Sequence, residues 1–334
     1  MNVPAYVRGS IAPVFTAYNE DLTLDDQGQR NLLDFLLSFN SISAFFCRSG
    51  MGQMYEFSRE DLIQLIDNVC GHMAGKAPVL IGCNGIWNRD KSEGGRPDPQ
   101  VFIDECIEFG NYATKAGAEG VVYTVPEALL PQGDEDHQDL AVRFFETVSA
   151  AVDAPVFIYQ PPRTEGDYEL RPQTLRKIAA LPNVVAIKVS NPNGGYLFDM
   201  IRATRDLEFA YICGAENAFY TAAYAGGKAC IGQGASLNPQ MLNAVQDCID
   251  AGDTEGAFAA QDAVNLMCEE CPNPVEWLKR YAADKGYAVN PYGRPMTIKV
   301  YEDDDKPPMS QEEYEAFKTV FEREMAKFGA GVSA

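Results

Sequence analysis

Two residues of this sequence have the types and placement for carbonyl chemistry. Lys188 sits near the C-terminal end of the apolar run Asn183-Val184-Val185-Ala186-Ile187-Lys188-Val189-Ser190-Asn191, and Tyr159 near the end of Pro155-Val156-Phe157-Ile158-Tyr159-Gln160-Pro161-Pro162. Runs of this length and β-branched content suit strands buried on both faces, where a cation is costly unless paired or neutralised. Burial disfavours an ammonium group, and a free lysine amine attacks carbonyls. A lysine that forms a Schiff base with a 2-oxo acid needs a proton shuttle for dehydration of the carbinolamine and for the C–C bond step, and a tyrosine hydroxyl can provide it. The carboxylate of the oxo acid needs donors, which Ser49 and the backbone amides of Gly50, Met51 and Gly52 could supply. For Lys188 taken alone, the alternative is a side chain that pairs with a carboxylate or meets solvent at the strand end.

These groups need elements that bring them to one place. Eight strand candidates recur at intervals of roughly 25 to 40 residues, each followed by a helical pattern: 8–16, 43–49, 78–84, 120–126, 155–162, 183–191, 207–214 and 228–234. The rhythm predicts a (β/α)8 TIM barrel over residues 8–250 with a C-terminal helical appendage over 251–330. In such barrels active groups sit at the C-terminal strand ends, so strands five and six would bring Tyr159 and Lys188 to the same mouth. The runner-up is an open doubly wound sheet. It would want a Gly-rich phosphate loop, and Gly50-Met51-Gly52-Gln53 lacks the third glycine and the downstream acid of that fingerprint.

Helix starts are legible at Thr23, read as the cap of the first helix, and at Ser58, ahead of Glu60 and Asp61. Residues 85–99, rich in Gly, Pro and charge, read as a βα loop insertion that either covers the active face or leaves it as a surface excursion. Beyond residue 237 the pattern is helical only, with a polar linker at 302–308 before the last helix.

Composition narrows the chemistry further. The 27 Lys and Arg against 48 Asp and Glu give a net charge of −21, which argues against nucleic acid or an anionic membrane as a partner. No run of about 18 apolar residues occurs and the N-terminus lacks a signal-peptide layout, so a cytoplasmic enzyme is expected. The 9 cysteines are odd in number and dispersed, which reads as reduced core thiols, and Cys268-Glu269-Glu270-Cys271 is a lone CxxC. With His72 and His137 as the sole histidines, a multi-histidine metal site is excluded and no metal is expected. The covalent imine on Lys188 stands in place of a cofactor.

Arg8-Gly9-Ser10-Ile11, the loop Ser49-Gly50-Met51-Gly52-Gln53, Tyr159-Gln160-Pro161-Pro162 and Val185-Ala186-Ile187-Lys188 follow one another as signatures. In this the sequence resembles the dihydrodipicolinate synthase and N-acetylneuraminate lyase family over about residues 8 to 300. The resemblance implies a class I pyruvate aldolase or dehydratase on a TIM barrel, a homo-oligomer with a tetramer favoured, Lys188 as imine lysine and Tyr159 as proton-relaying phenol. It also marks departures. The family's paired loop hydroxyls are replaced here by Gly50 and Met51, its second tyrosine after strand four by Val125-Pro126-Glu127-Ala128, and its arginine after the Tyr-x-x-Pro segment is matched by Arg163 one residue early. These departures argue against lysine biosynthesis and for a divergent branch.

Gly214-Ala215-Glu216-Asn217 is similar to the segment in which sugar-acid lyases place an acidic residue against substrate hydroxyls, and Gln233 or Ser236 could add contacts. The competing reading of Glu216 is a charge in the first turn of a helix, favourable to its dipole. Tyr123, Trp87 and Asn84 either line the mouth or pack in the core and surface. The expected function is a Schiff-base lyase acting on a pyruvate-derived, hydroxylated, sugar-acid-like 2-oxo acid. The alternatives are a hydratase-aldolase for an aromatic 2-oxo acid and a non-catalytic, imine-forming binding or regulatory barrel.

Overall fold

The computed structural model describes residues 1–92, 94–295 and 308–328. Eight parallel strands close on themselves in chain order: β1 (Gly9–Pro13), β2 (Ile42–Cys47), β3 (Val79–Gly82), β4 (Gly120–Thr124), β5 (Val156–Gln160), β6 (Val184–Val189), β7 (Ala210–Cys213) and β8 (Ala229–Cys230). Around them run α1 (Asp26–Ser38), α2 (Arg59–Met73), α3 (Pro99–Ala116), α4 (His137–Ala150), α5 (Pro172–Ala179), α6 (Gly194–Thr204) and α7 (Phe219–Ala225). The short α8 (Gly234–Leu237) leads into α9 (Pro239–Ala251), which completes the helical ring. The molecule is a (β/α)8 TIM barrel.

Alternation along each strand divides the interior into two apolar layers, as a period of two requires. Ile11, Ala44, Phe46, Leu80, Val122, Phe157, Tyr159, Ala186, Ala210, Ile212 and Ala229 fill the lumen. Their neighbours, such as Phe45, Ile81, Val121, Ile158 and Ile187, face the helices. Lys188 follows Ala186 by two residues, so its side chain enters the lumen at the C-terminal end of β6.

Local capping follows the sequence in most places. Ser58 and Asp61 form a capping box on α2, as do Asp136 and Asp139 on α4. At α1 the cap is Asp25, whose carboxylate accepts from the Gly28 amide at 2.8 Å, and not Thr23. A bridge between Tyr18 and Leu24 carries the turn two residues further than expected, and Thr23 Oγ1 donates instead to Asp21. Strand eight is also shorter than predicted, because the Gly232-Gln233-Gly234 segment folds inward beneath Glu216 and turns directly into α8.

The appendage comprises α10 (Thr254–Glu270), α11 (Pro274–Asp284) and α12 (Gln311–Lys327). Trp277 of α11 stacks on Tyr281 at 4.7 Å and meets Phe317 and Phe321 of α12, each at 4.7 Å. Tyr281 also packs edge-on against Phe35 of α1 at 6.0 Å, which anchors this cluster to the barrel. Of the polar linker expected at 302–308, all but Pro308 lies outside the described residues.

Candidate active site

Pairing of β5 with β6 sets Tyr159 directly opposite Lys188. Lys188 Nζ lies 4.1 Å from the centroid of the Tyr159 ring and 5.8 Å from that of Phe46, and the Phe46 and Tyr159 rings meet edge-on at 6.1 Å. Lys188 is 5% exposed, and among the described residues no carboxylate stands within ion-pair distance of it. The aromatic faces supply partial compensation for an ammonium group. An amine held this way, with its free end at the barrel mouth, is placed to meet a carbonyl.

The loop after β2 is built by two left-handed residues, Arg48 (φ 50°) and Gln53 (φ 58°). Buried Arg48 donates through Nη1 to the carbonyls of Gly82 (3.2 Å) and Asn84 (2.6 Å), fastening the end of β2 to β3, and burial lowers its pKa to about 10. Ser49 is fully buried. The Gly52 amide donates to Ser49 O (3.0 Å) and Oγ (3.1 Å), so it is turned into the loop. The amides of Gly50 and Met51 carry no acceptor among the described residues and remain available to an anion. A Cβ on Gly52 would come within 2.7 Å of the Val14 carbonyl, which is why this position takes glycine. Gln53 exchanges hydrogen bonds with the backbone of Arg294, accepting at 3.0 Å and donating at 2.6 Å, and so ties the loop to the segment after α11.

Glu216 lies across the mouth, in a 3-10 turn (Glu216–Ala218) between β7 and α7. Its carboxyl rests against Gly232, where any Cβ would collide with it, and accepts from Cys268 Sγ at 3.5 Å. Burial pushes this carboxyl above the usual glutamate range, against the opposing pull of the Glu216 and Gly234 amides, the Cys268 thiol and the Lys188 charge. Gln233 lies close to Cys268, and Ser236 Oγ donates to the Pro13 carbonyl at 3.1 Å, where it helps close the barrel.

The other candidates engage neighbouring backbone and side chains rather than Lys188. Arg163 is exposed, with φ 56°, and presents its carbonyl inward. Tyr123 faces the helical layer and donates to the Cys106 carbonyl, while Asn84 exchanges hydrogen bonds with Thr124 at the ends of β3 and β4. Trp87 Nε1 donates to the carbonyls of Asp90 and Gly95, which organises the insertion.

Sequence reasoning passed over two residues. Tyr55 stands in a 3-10 turn (Met54–Glu56) after the loop, has no hydrogen-bond partner among the described residues, and lies close enough to Tyr159 for the two phenols to influence each other. Burial raises its pKa, and Arg89 opposes that rise. Arg89, from the 85–99 insertion, is 5% exposed and places its guanidinium 5.5 Å over the Tyr55 ring. The unusual length and charge of that insertion were the available signals for Arg89. Tyr55 had none, because its role depends on how the loop turns.

A model of the dihydrodipicolinate synthetase family matches residues 6–307. A 4-hydroxy-tetrahydrodipicolinate synthase of Dechloromonas aromatica is 28% identical over 278 residues, covering 81% of this chain and 87% of the relative. Among solved structures, N-acetylneuraminate lyase from Fusobacterium nucleatum superposes with a TM-score of 0.77 at 15% identity, over 96% of this chain and 99% of that one. The Escherichia coli K12 protein YagE, in complex with pyruvate, superposes with a TM-score of 0.73 at 21% identity, over 95% and 98% respectively.

Proposed function

The chain belongs to the dihydrodipicolinate synthetase family and is an enzyme of the lyase class, and from that premise we propose that it works on a hydroxylated, pyruvate-derived 2-oxo acid through an imine on Lys188. The observation that carries this reading is the buried Lys188 amine, free of any carboxylate among the described residues and 4.1 Å from the face of Tyr159. YagE, which was solved with pyruvate, shares the fold and supports a pyruvyl substrate.

In this mechanism Lys188 Nζ adds to the C2 carbonyl, and the carbinolamine loses water as Tyr159 delivers a proton to the departing hydroxyl. The pyruvyl carboxylate sits against the Gly50 and Met51 amides. For cleavage, a base takes the proton of the C4 hydroxyl, the C3–C4 bond breaks, and its electron pair flows into the protonated imine to leave an enamine and an aldehyde. Proton return to C3 and hydrolysis of the imine release pyruvate and the free lysine. Tyr55 supplies the second hydroxyl of the relay, in place of those absent from the loop, and Glu216 holds hydroxyls of the distal part of the substrate.

Incubation with pyruvate and borohydride is expected to add a reduced pyruvyl group to Lys188, located by peptide mass. An intact protein whose Lys188 remains unmodified would overturn the imine reading. Pyruvate release from a panel of sugar-acid and benzylidene-pyruvate substrates then separates the hydroxylated class from an aromatic one.

A further inference from the structure

The insertion between β3 and α3, whose three cations match its three acids in number, brings Arg89, Lys91 and Arg96 against the loop after β4 in a molecule of net charge −21. Of these, Arg89 adopts a left-handed conformation (φ 64°). Its Nη2 donates to Glu127 Oε2 at 2.9 Å and to the carbonyls of Pro162 and Arg163, both at 3.1 Å. These partners come from the loops after β4 and β5, and Tyr55 beneath the guanidinium comes from the loop after β2. Arg89 is thus held where the loops of neighbouring strands converge, within electrostatic reach of Tyr159.

The guanidinium is not used up by these contacts. Nε and Nη1 have no acceptor among the described residues, and neither is sealed from solvent. Nor does Glu127 neutralise the cluster alone. It is 2% exposed and is shared between Arg89 and Lys91, whose Nζ lies 2.6 Å from Glu127 Oε1 and 3.3 Å from Glu165 Oε1, while Arg96 donates to the Glu127 backbone carbonyl. A buried guanidinium with free donors in a low-dielectric mouth binds an anionic oxygen strongly, because its desolvation has already been met by the fold.

We infer that Arg89 forms a subsite for a second carboxylate, one carried by the substrate on the far side of its 2-oxo group. The substrate class is then a 2-oxo dicarboxylic acid. This rests on the imine reading, since the oxo end must be anchored at Lys188 for the far carboxylate to reach Arg89.

The test uses borohydride trapping on Lys188, which needs no turnover. A length series of 2-oxo dicarboxylates, such as 2-oxoglutarate and 2-oxoadipate, is compared with monocarboxylates of equal chain length, and pyruvate serves as the common reference. At the best length the wild-type protein is expected to half-saturate at a concentration about 10- to 100-fold lower for the dicarboxylate than for its partner, as one charge-assisted pair allows. Arg89→Met is expected to erase that difference, raising the dicarboxylate value far more than the pyruvate value. Arg89→Lys, which keeps a cation for Glu127, covers the case in which the methionine variant does not fold, and is expected to reduce the dicarboxylate preference selectively. No dicarboxylate preference in the wild type, or an equal loss for all acids including pyruvate, would mean that Arg89 only braces the insertion. If pyruvate itself is not trapped on Lys188, the imine reading fails and this subsite falls with it.

Discussion

At the scale of single residues, the proposed roles separate chemistry from binding, and substitutions are expected to separate them too. Tyr159→Phe should lower kcat by roughly 10²- to 10⁴-fold and slow the trapping of pyruvate on Lys188 as well, because carbinolamine dehydration draws on the same phenol, while prolonged incubation still traps since the amine survives. Loss of trapping in that variant would instead make Tyr159 a support for the lysine, through the 4.1 Å contact of Nζ with its ring. Tyr55→Phe should cost less, on the order of 10²-fold, since water can fill the place of the second hydroxyl. Glu216 adds a pH signature. Burial raises its pKa, so on acidification its carboxylate is protonated earlier than an ordinary glutamate near about 4.3, and turnover of hydroxylated substrates should fall away at correspondingly higher pH. Kinetic profiles of Glu216→Gln are expected to lack that limb.

At the scale of elements, the site depends on how segments outside the barrel hold the loop after β2. Arg294 donates to the carbonyls of Leu22 (3.0 Å) and Glu56 (2.7 Å) and pairs with Asp61 at 2.5 Å. It therefore clamps the segment that follows the Ser49–Gln53 turn to the β1–α1 connection while its backbone engages Gln53. Arg294→Ala is expected to destabilise the protein by about 2 kcal/mol in urea denaturation, the scale of one partly buried charged hydrogen-bond set. It should also raise the KM for 2-oxo acids with a smaller change in kcat, because the amides of Gly50 and Met51 lose their fixed direction. An unchanged KM would mean the turn is held by its own hydrogen bonds alone.

At the scale of the whole molecule, the appendage contributes a titration as well as packing. Lys279 of α11 is buried, donates to the Tyr292 carbonyl at 2.6 Å, and is lowered by desolvation to a pKa of about 7. The unfolded chain keeps that lysine protonated up to about 10.4, so between these values the unfolded state binds more protons and stability rises with pH. The contribution is fully present above the unfolded value and is lost as pH falls through about 7. Lys279→Met removes this dependence. The stability of the native protein relative to the variant should therefore climb between pH 7 and 10, by up to about 1.4 kcal/mol per unit, in parallel denaturation series. Packing is tested separately by Trp277→Ala, which opens the aromatic cluster of α11 and α12 and should cost about 3 to 5 kcal/mol.

The amino-acid sequence by itself determined the barrel, because eight apolar runs at regular spacing allow few other ways to bury their faces. Period two along β5 and β6 was likewise enough to put Tyr159 and Lys188 on the lumen side. What it left undecided were matters of backbone direction and long-range contact. Whether Gly52 offers its amide to a ligand or to Ser49 depends on the turn set by Arg48 and Gln53. Whether the 85–99 segment is an excursion or part of the site depends on Glu127, which lies 38 positions from Arg89 in the chain and meets it only when the strand ends converge. Glu216 is enclosed only because β8 stops short and Gly232 turns beneath it. Local patterning carries the elements. The charges at the mouth were decided by tertiary structure, since Arg89 and Glu216 are oriented by partners far away in sequence, while the amide donors were decided by the backbone direction of a single turn.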